Sequence, residues 1–316
     1  MSSSSPAPAR GVRIHWDDLP AYVRAALELR LGARVVEAIT QPGGFSPGLA
    51  ARVVLEDGRR AFVKAVHEGA NPDSPNIHRR EARIVVAMPS TAPVPRFLWG
   101  YDEDGWVALC FEDVEGRHPA EPWTGSDLHL VVEALRKMAR ALTPTPIDPG
   151  LTAGDRFRDN VNGWRRALEN GEKRIDQWVV RHLDRLAELE ADAPAASAGD
   201  TLLHFDTRAD NILIAGDRVY VVDWPWACTG AAWVDWVAMA PSVAMQGGPD
   251  PESFLRRFDV DAVSARSIDA VLCSIAGFFV MQSLEPAPPG LPTLRAFQAA
   301  QGGTAVAWLR DRLGWD

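Results

Sequence analysis

The spacing of apolar residues changes period part-way along the chain. Between residues 34 and 111 they fall in short runs, at 34–40, 49–55, 60–66, 94–100 and 106–111. Each run is bounded by turn formers: QPGGFSPG, Glu56-Asp57-Gly58 and YDEDG. Such runs predict five strands, with one amphipathic helix at 77–88 after the third. From residue 126 the period becomes helical. Residues 127–142 carry Leu128, Val131, Val132, Leu135, Met138 and Leu142 on one face, and 155–170 and 172–190 predict two more helices. A small-residue linker, ADAPAASAGD, precedes two short strands around the turn AGDR. Helices then resume from about 232 to the end, broken by QGGPDP and EPAPPGLP. Upstream of the strands, 16–31 predicts a helix capped by Asp17 or Asp18 and closed at Gly32.

The pattern predicts an α+β chain of two lobes: an antiparallel five-stranded sheet plus a helix, then a mainly helical part. The expected divisions are a disordered tail at 1–15, an N-terminal lobe at 16–111, a hinge at 112–117 and a helical lobe at 118–316. No internal repeat or heptad array interrupts them.

Composition narrows the partners. A net charge of −9 argues against nucleic acid or an anionic membrane. Cys110, Cys228 and Cys273 are far apart and lack metal-ligand spacing, as expected of reduced thiols in a cytoplasmic protein. The N-terminus has no signal-like apolar core, and the apolar stretch at 274–281 is too short to span a bilayer. Only three of the 33 basic residues are lysine, so Lys64, closing Ala61-Phe62-Val63-Lys64, stands out against an arginine background.

The most informative segment is TLLHFDTRADNILIAGDRVYVVDW, residues 201–224. It delivers His204, Asp206, Asn211 and Asp223 in sequence. One carboxylate can orient a hydroxyl and take its proton; an amide oxygen and a second carboxylate are hard ligands suited to Mg²⁺. Protein kinases use H-R-D-x-x-x-x-N and then D-F-G in this order for phosphoryl transfer from ATP. Apolar pairs before and after the loop, and an upstream lysine, supply the matching context.

On these residues the chain resembles the aminoglycoside phosphotransferase family, small-molecule kinases with a protein-kinase-like fold. The resemblance covers roughly residues 35–240. It implies an Mg²⁺–ATP-dependent O-phosphotransferase acting on a small-molecule alcohol, an aminoglycoside-type antibiotic or amino-sugar first. A choline-like alcohol, homoserine or a macrolide remains open, as does a nucleotide-binding pseudokinase. Asp206 would be the base, and Asn211 and Asp223 the metal ligands. Lys64 would meet the α- and β-phosphates and pair with Glu81, with Glu68 as competitor. Ser46, in the glycine-rich turn, would face the phosphates. The Glu112 carbonyl and Val114 N–H would hold adenine, with Phe111 as gatekeeper. Arg208 would meet the γ-phosphate or be tied in a salt bridge. His204 and Asp235 would brace the loop. For the acceptor wall, Asp155, Asp159, Glu169, Trp164, Trp178, Glu285, Trp308 and Trp226 divide between cleft and ordinary packing. Two departures matter. Phe205 stands where the family usually has glycine, and Trp224-Pro225 follows Asp223 with no A-P-E segment, which argues against a protein kinase with a phosphorylated activation loop.

Overall fold

The computed structural model describes residues 12–43 and 48–316. A turn of 3₁₀ helix at Trp16–Asp18 leads into α1 (Ala21–Leu31), which ends at Gly32 in a left-handed cap (φ 77°). Five strands follow: β1 (Val35–Thr40), β2 (Leu49–Leu55), β3 (Arg60–His67), then helix α2 (Ser74–Val85), then β4 (Phe97–Glu103) and β5 (Trp106–Glu112). They form one antiparallel sheet in the order β1-β2-β3-β5-β4. The five strands and the helix after the third are those expected from the sequence.

The two-residue period of a strand sorts side chains onto opposite faces of the sheet. On β3, Ala61, Val63 and Ala65 turn to one face and Phe62, Lys64 and Val66 to the other; on β5, Ala108 and Cys110 oppose Val107, Leu109 and Phe111. The face with Ala61, Val63 and Ala65 packs under Val23, Leu27 and Leu31 of α1. The opposite face is turned toward α2 and the helical lobe, so a lysine in phase with Phe62 and Val66 is carried inward.

The helical part contains α3 (Gly125–Ala141), α4 (Ala153–Asp159), α5 (Gly163–Glu169), α6 (Gln177–Glu190) and the short α7 (Ala193–Ala196). Strands β6 (Thr201–Leu203), β7 (Ile212–Ala215), β8 (Arg218–Val221) and β9 (Cys228–Gly230) follow. Helices α8 (Trp233–Met245), α9 (Pro251–Leu255), α10 (Ala265–Ser283) and α11 (Leu294–Leu313) complete it. Only β7 and β8 make the hairpin around the AGDR turn; β6 pairs instead with β9.

Five expectations are corrected. The helix expected at 155–170 is two helices, broken at Asn160–Asn162 where Asn162 leaves helical geometry (φ −133°, ψ 61°). The helix expected from 172 begins at Gln177, and the linker at 191–200 contains α7. Of the tail expected to be disordered, residues 12–15 are bonded: Val12 N donates to the Gly290 carbonyl at 2.9 Å and Ile14 N to that of Gly48 at 3.2 Å. Residues 1–11 lie outside the described residues. Finally, α10 as a whole is long and apolar enough to cross a membrane by length and composition, although the stretch at 274–281 is not. Here it packs against α5, α6, α8 and α11, as a core helix does.

Candidate active site

The catalytic loop is built from β6 outward. After Leu203 the chain turns sharply through Phe205 in the left-handed region (φ 63°). That turn is fixed from beneath by Asp235 at the start of α8, whose two carboxylate oxygens accept the His204 and Phe205 amides, both at 2.8 Å. Burial pushes the Asp235 carboxyl up to about 6, and the two amide bonds pull it back. His204 is buried, and burial holds its ring neutral, with a pKa of about 4. Its Nε2–H donates to the Val222 carbonyl at 2.9 Å, and Nδ1 accepts the Asp206 amide at 3.2 Å. His204 thus clamps the loop to the strand that precedes Asp223, the structural role expected of it.

Asp206 emerges beside Asn211 and Arg208. Arg208 Nη1 donates to Asp206 Oδ1 at 2.6 Å, and its other nitrogens hold Asp210 at 3.0 Å. Arg208 is therefore in the salt bridge that was one of its two expected roles, and it lies over the Phe297 ring at 5.4 Å. Asn211 Nδ2 donates to the Asp206 carbonyl at 2.8 Å and to its Oδ2 at 3.2 Å, leaving the amide oxygen as an acceptor. Burial raises the Asp206 carboxyl to about 7, against the opposing charge of Arg208.

Lys64 joins the lobes. Its Nζ donates to Glu81 Oε1 at 2.9 Å and Oε2 at 3.2 Å, and pairs with Asp223 Oδ1. Glu81, on α2, is thus its partner in place of Glu68. Burial opposes the ammonium charge, but Asp223 and Glu81 outweigh it and keep Lys64 protonated. Asp223, like Phe205, has a left-handed backbone (φ 64°).

Lys64, Glu81 and Asp223 face a cavity of ≈ 460 Å³ between the lobes, and the catalytic loop lines it through Ala209 and Asp210. Phe62, Val85, Val94, Phe111, Leu213 and Val222 give it an apolar slot that ends at Glu112, Asp113 and Val114. Asp113 is engaged by Arg52 (2.6 and 2.9 Å) and Arg60 (2.8 Å). Among the described residues the Val114 N–H has no partner, so it is available to an edge of a planar ligand. Gly43 lines the other end; Ser46 lies outside the described residues.

Among the described residues no three His, Cys, Asp or Glu side chains converge on one point. The donor set still suits Mg²⁺, which is commonly held by one or two carboxylates while phosphates and waters fill its shell. The Lys64 ammonium holds the Asp223 carboxylate ionised, the charge state a metal ligand needs.

The acceptor candidates divide. Trp164 and Trp178 are fully buried and donate to the Cys273 and Trp315 carbonyls, and Trp308 donates to Glu252. Asp155 caps α4 through Thr152. These are packing and capping residues. Trp226 is 37% exposed and lies between Arg80 and Arg156, 5.7 and 5.6 Å from its ring. Sequence reasoning missed Arg13, His78, His118 and Phe297, all of which line the cavity. His78 had a signal, since it stands three residues before Glu81 on the same helical face; Arg13 had none, because it lies far from every motif.

Comparison with known proteins bears on the family and the fold. The family model described as "Phosphotransferase enzyme family" matches residues 43–265. No curated protein matches the chain by sequence. Among solved structures, the chain is similar to a thermostable mutant of aminoglycoside phosphotransferase APH(4)-Ia in ternary complex with ADP and hygromycin B. That pair has a TM-score of 0.62 at 15% identity, covering 92% of this chain and 98% of the other. An aminoglycoside-3'-phosphotransferase of type VIII gives a TM-score of 0.52 at 24% identity, covering 80% and 97%. A putative fructosamine-3-kinase from Haemophilus somnus 129PT gives 0.56 at 13%, covering 89% and 96%. At these identities the likeness is one of fold, the bilobal protein-kinase-like fold expected from the sequence.

Proposed function

The chain belongs to the phosphotransferase enzyme family, and from that premise we propose that it is an Mg²⁺–ATP-dependent O-phosphotransferase working on a small-molecule hydroxyl. Aminoglycoside-type antibiotics and amino-sugars are the first acceptors to test, since a solved structure of the same fold is a complex with ADP and hygromycin B. The observation that carries the reading is the meeting of Lys64, Glu81 and Asp223 in one interlobe cavity, with Asp206 and Asn211 bonded to each other on the loop whose Ala209 and Asp210 line it.

In this reading adenine enters the apolar slot and takes the Val114 N–H and the Glu112 carbonyl. Its phosphates displace Asp223 from Lys64, so the ammonium passes from a carboxylate to the α- and β-phosphate oxygens. Asn211 and Asp223 would hold Mg²⁺, which when bound neutralises charge on the phosphate oxygens. Asp206 receives the proton of the acceptor hydroxyl as its oxygen bonds to the γ-phosphorus and the bond to the ADP oxygen breaks. A carboxyl near 7 suits a base at neutral pH. Arg208, braced by Asp210, keeps Asp206 aimed at the acceptor and would add positive charge beside the transferring phosphoryl group. We place the reaction in the cytoplasm, a reading supported by three buried, unpaired cysteines.

The test is incubation of the purified protein with Mg²⁺–ATP and a panel of aminoglycosides, amino-sugars, macrolides and amino-alcohols, followed by mass spectrometry. The expected result is an acceptor heavier by one phosphoryl group. Asp206→Asn should slow its formation on the order of 10²–10⁴-fold while still binding ATP. A product formed equally well by Asp206→Asn would remove Asp206 from the mechanism; a product on none of the aminoglycosides would move the acceptor to another metabolite.

A further inference from the structure

The segment at residues 12–14 crosses from one lobe to the other. Val12 N donates to the Gly290 carbonyl, in the turn before α11. On the sheet side Gly48 N donates to the Val12 carbonyl at 3.2 Å, and Ile14 N to the Gly48 carbonyl at 3.2 Å. Gly48 directly precedes β2. It has φ 106°, and a Cβ there would lie 2.5 Å from the Ala65 carbonyl oxygen and 2.9 Å from Val66. The chain therefore lies close against β3 at this point, and Arg13, between these two anchors, lines the cavity.

Arg13 lines the cavity with Gly43, Lys64, His78 and Asp223, and its Nη2 donates to the Gly43 carbonyl. Burial lowers its affinity for a proton, and the Asp223 charge offsets this only in part. Its field is felt at Asp223 and at His78, which lie at the end of the cavity away from Glu112 and Val114. A guanidinium brought to that end by backbone bonds on both sides is a prepositioned ligand for an anion.

We propose that Arg13 is a polyphosphate-binding residue of the nucleotide site, a second fixed cation beside Lys64 delivered by the N-terminal strap; the proposal rests on the nucleotide reading above. A neutral adenosine would not engage it. ATP and ADP would, and the bond to Gly290 would tie that contact to the closed arrangement of the two lobes.

The experiment is calorimetric titration of the full chain with ATP, ADP and adenosine, with and without Mg²⁺. Arg13→Gln keeps a donor for the Gly43 carbonyl and removes the charge. It should weaken ATP and ADP about tenfold, the size of one charge-assisted hydrogen bond, and leave adenosine unchanged. Arg13→Lys, which restores a cation, should recover most of the ATP affinity. Adenosine serves as the control for folding and for the slot. Loss of adenosine and ATP in equal proportion would show that Arg13 only holds the chain at Gly43, and unchanged ATP binding would show that it does not meet the phosphates. Either result overturns the proposal while leaving the kinase reading in place. That reading itself fails if the wild-type protein binds none of the three.

Discussion

At the scale of single residues, the site is held by groups that are costly unless partnered. Lys64 and Glu81 are both buried, at 9% and 3% exposed. Removing one partner of such a pair leaves an uncompensated charge, at a cost of about 3 kcal/mol or more. Lys64→Met should therefore lower stability by that order in urea unfolding, as well as abolish turnover. Lys64→Met with Glu81→Gln should recover part of the loss in stability without recovering activity. A single variant as stable as the wild type would show that the pair is not desolvated. Phe205 gives another prediction. Its left-handed backbone costs about 1 kcal/mol for any residue but glycine, whereas its ring packs edge-on to Phe157 at 5.4 Å. Both truncations lose the ring, but only glycine relieves the backbone. Phe205→Gly should therefore be more stable than Phe205→Ala by about 1 kcal/mol, the reverse of the usual order. Thermal unfolding of the two variants decides it.

At the scale of elements, the helical lobe depends on a capping arrangement that no local pattern announces. The first turn of α5 lacks a side-chain cap of its own. Glu190, at the end of α6, supplies one: its oxygens accept the Trp164 and Arg165 amides at 3.1 and 3.0 Å. Gly163 then lets α5 run directly onto Gly277 of α10, where a Cβ would collide with backbone. This is why residues 155–170 read as one amphipathic helix yet are two. The break is set by partners more than twenty and a hundred residues away, whereas periodicity reports only which face is apolar. Gly163→Ala should cost about 3 kcal/mol, at the upper end for overpacking. Burial raises the Glu190 carboxyl to about 7 from an ordinary 4.5. The folded state then binds the proton more tightly than the unfolded state. This contribution to stability is full below about 4.5 and is lost as pH rises through about 7. Glu190→Gln should flatten stability across that window; an unchanged pH slope in the variant would mean that Glu190 is not the group responsible.

At the scale of the whole molecule, what the sequence disclosed was the chemistry carried in contiguous stretches. The five strands, Lys64 with Glu81 one helix on, and the run from His204 to Asp223 are all legible because each rests on local spacing. The strap at residues 12–14, the Phe297 ring over Arg208 and the burial of α10 are not, because each is made where distant segments meet. The same distinction shapes how the lobes respond to ligand. The lobes are joined by Lys64 with Asp223 in the cavity, by Trp226 between Arg80 and Arg156, and by Val12 with Gly290. A ligand that takes over the Lys64 contact must bind the folded state alone, so it stabilises the chain by mass action. At one hundred times its dissociation constant that is about 2.7 kcal/mol, or roughly 4 °C in Tm for a chain of 316 residues. ATP should give part of this rise without metal, through the hinge and Lys64, and Mg²⁺ should add the rest through Asn211 and Asp223. Asp223→Ala separates the two. It should keep the metal-free rise, since Lys64 is then freed for phosphate, and lose the increment from Mg²⁺. If Mg²⁺ still raises the Tm of ATP-bound Asp223→Ala as it does that of the wild type, the metal is held elsewhere, and the pairing of Lys64 with Asp223 is a structural bridge between lobes.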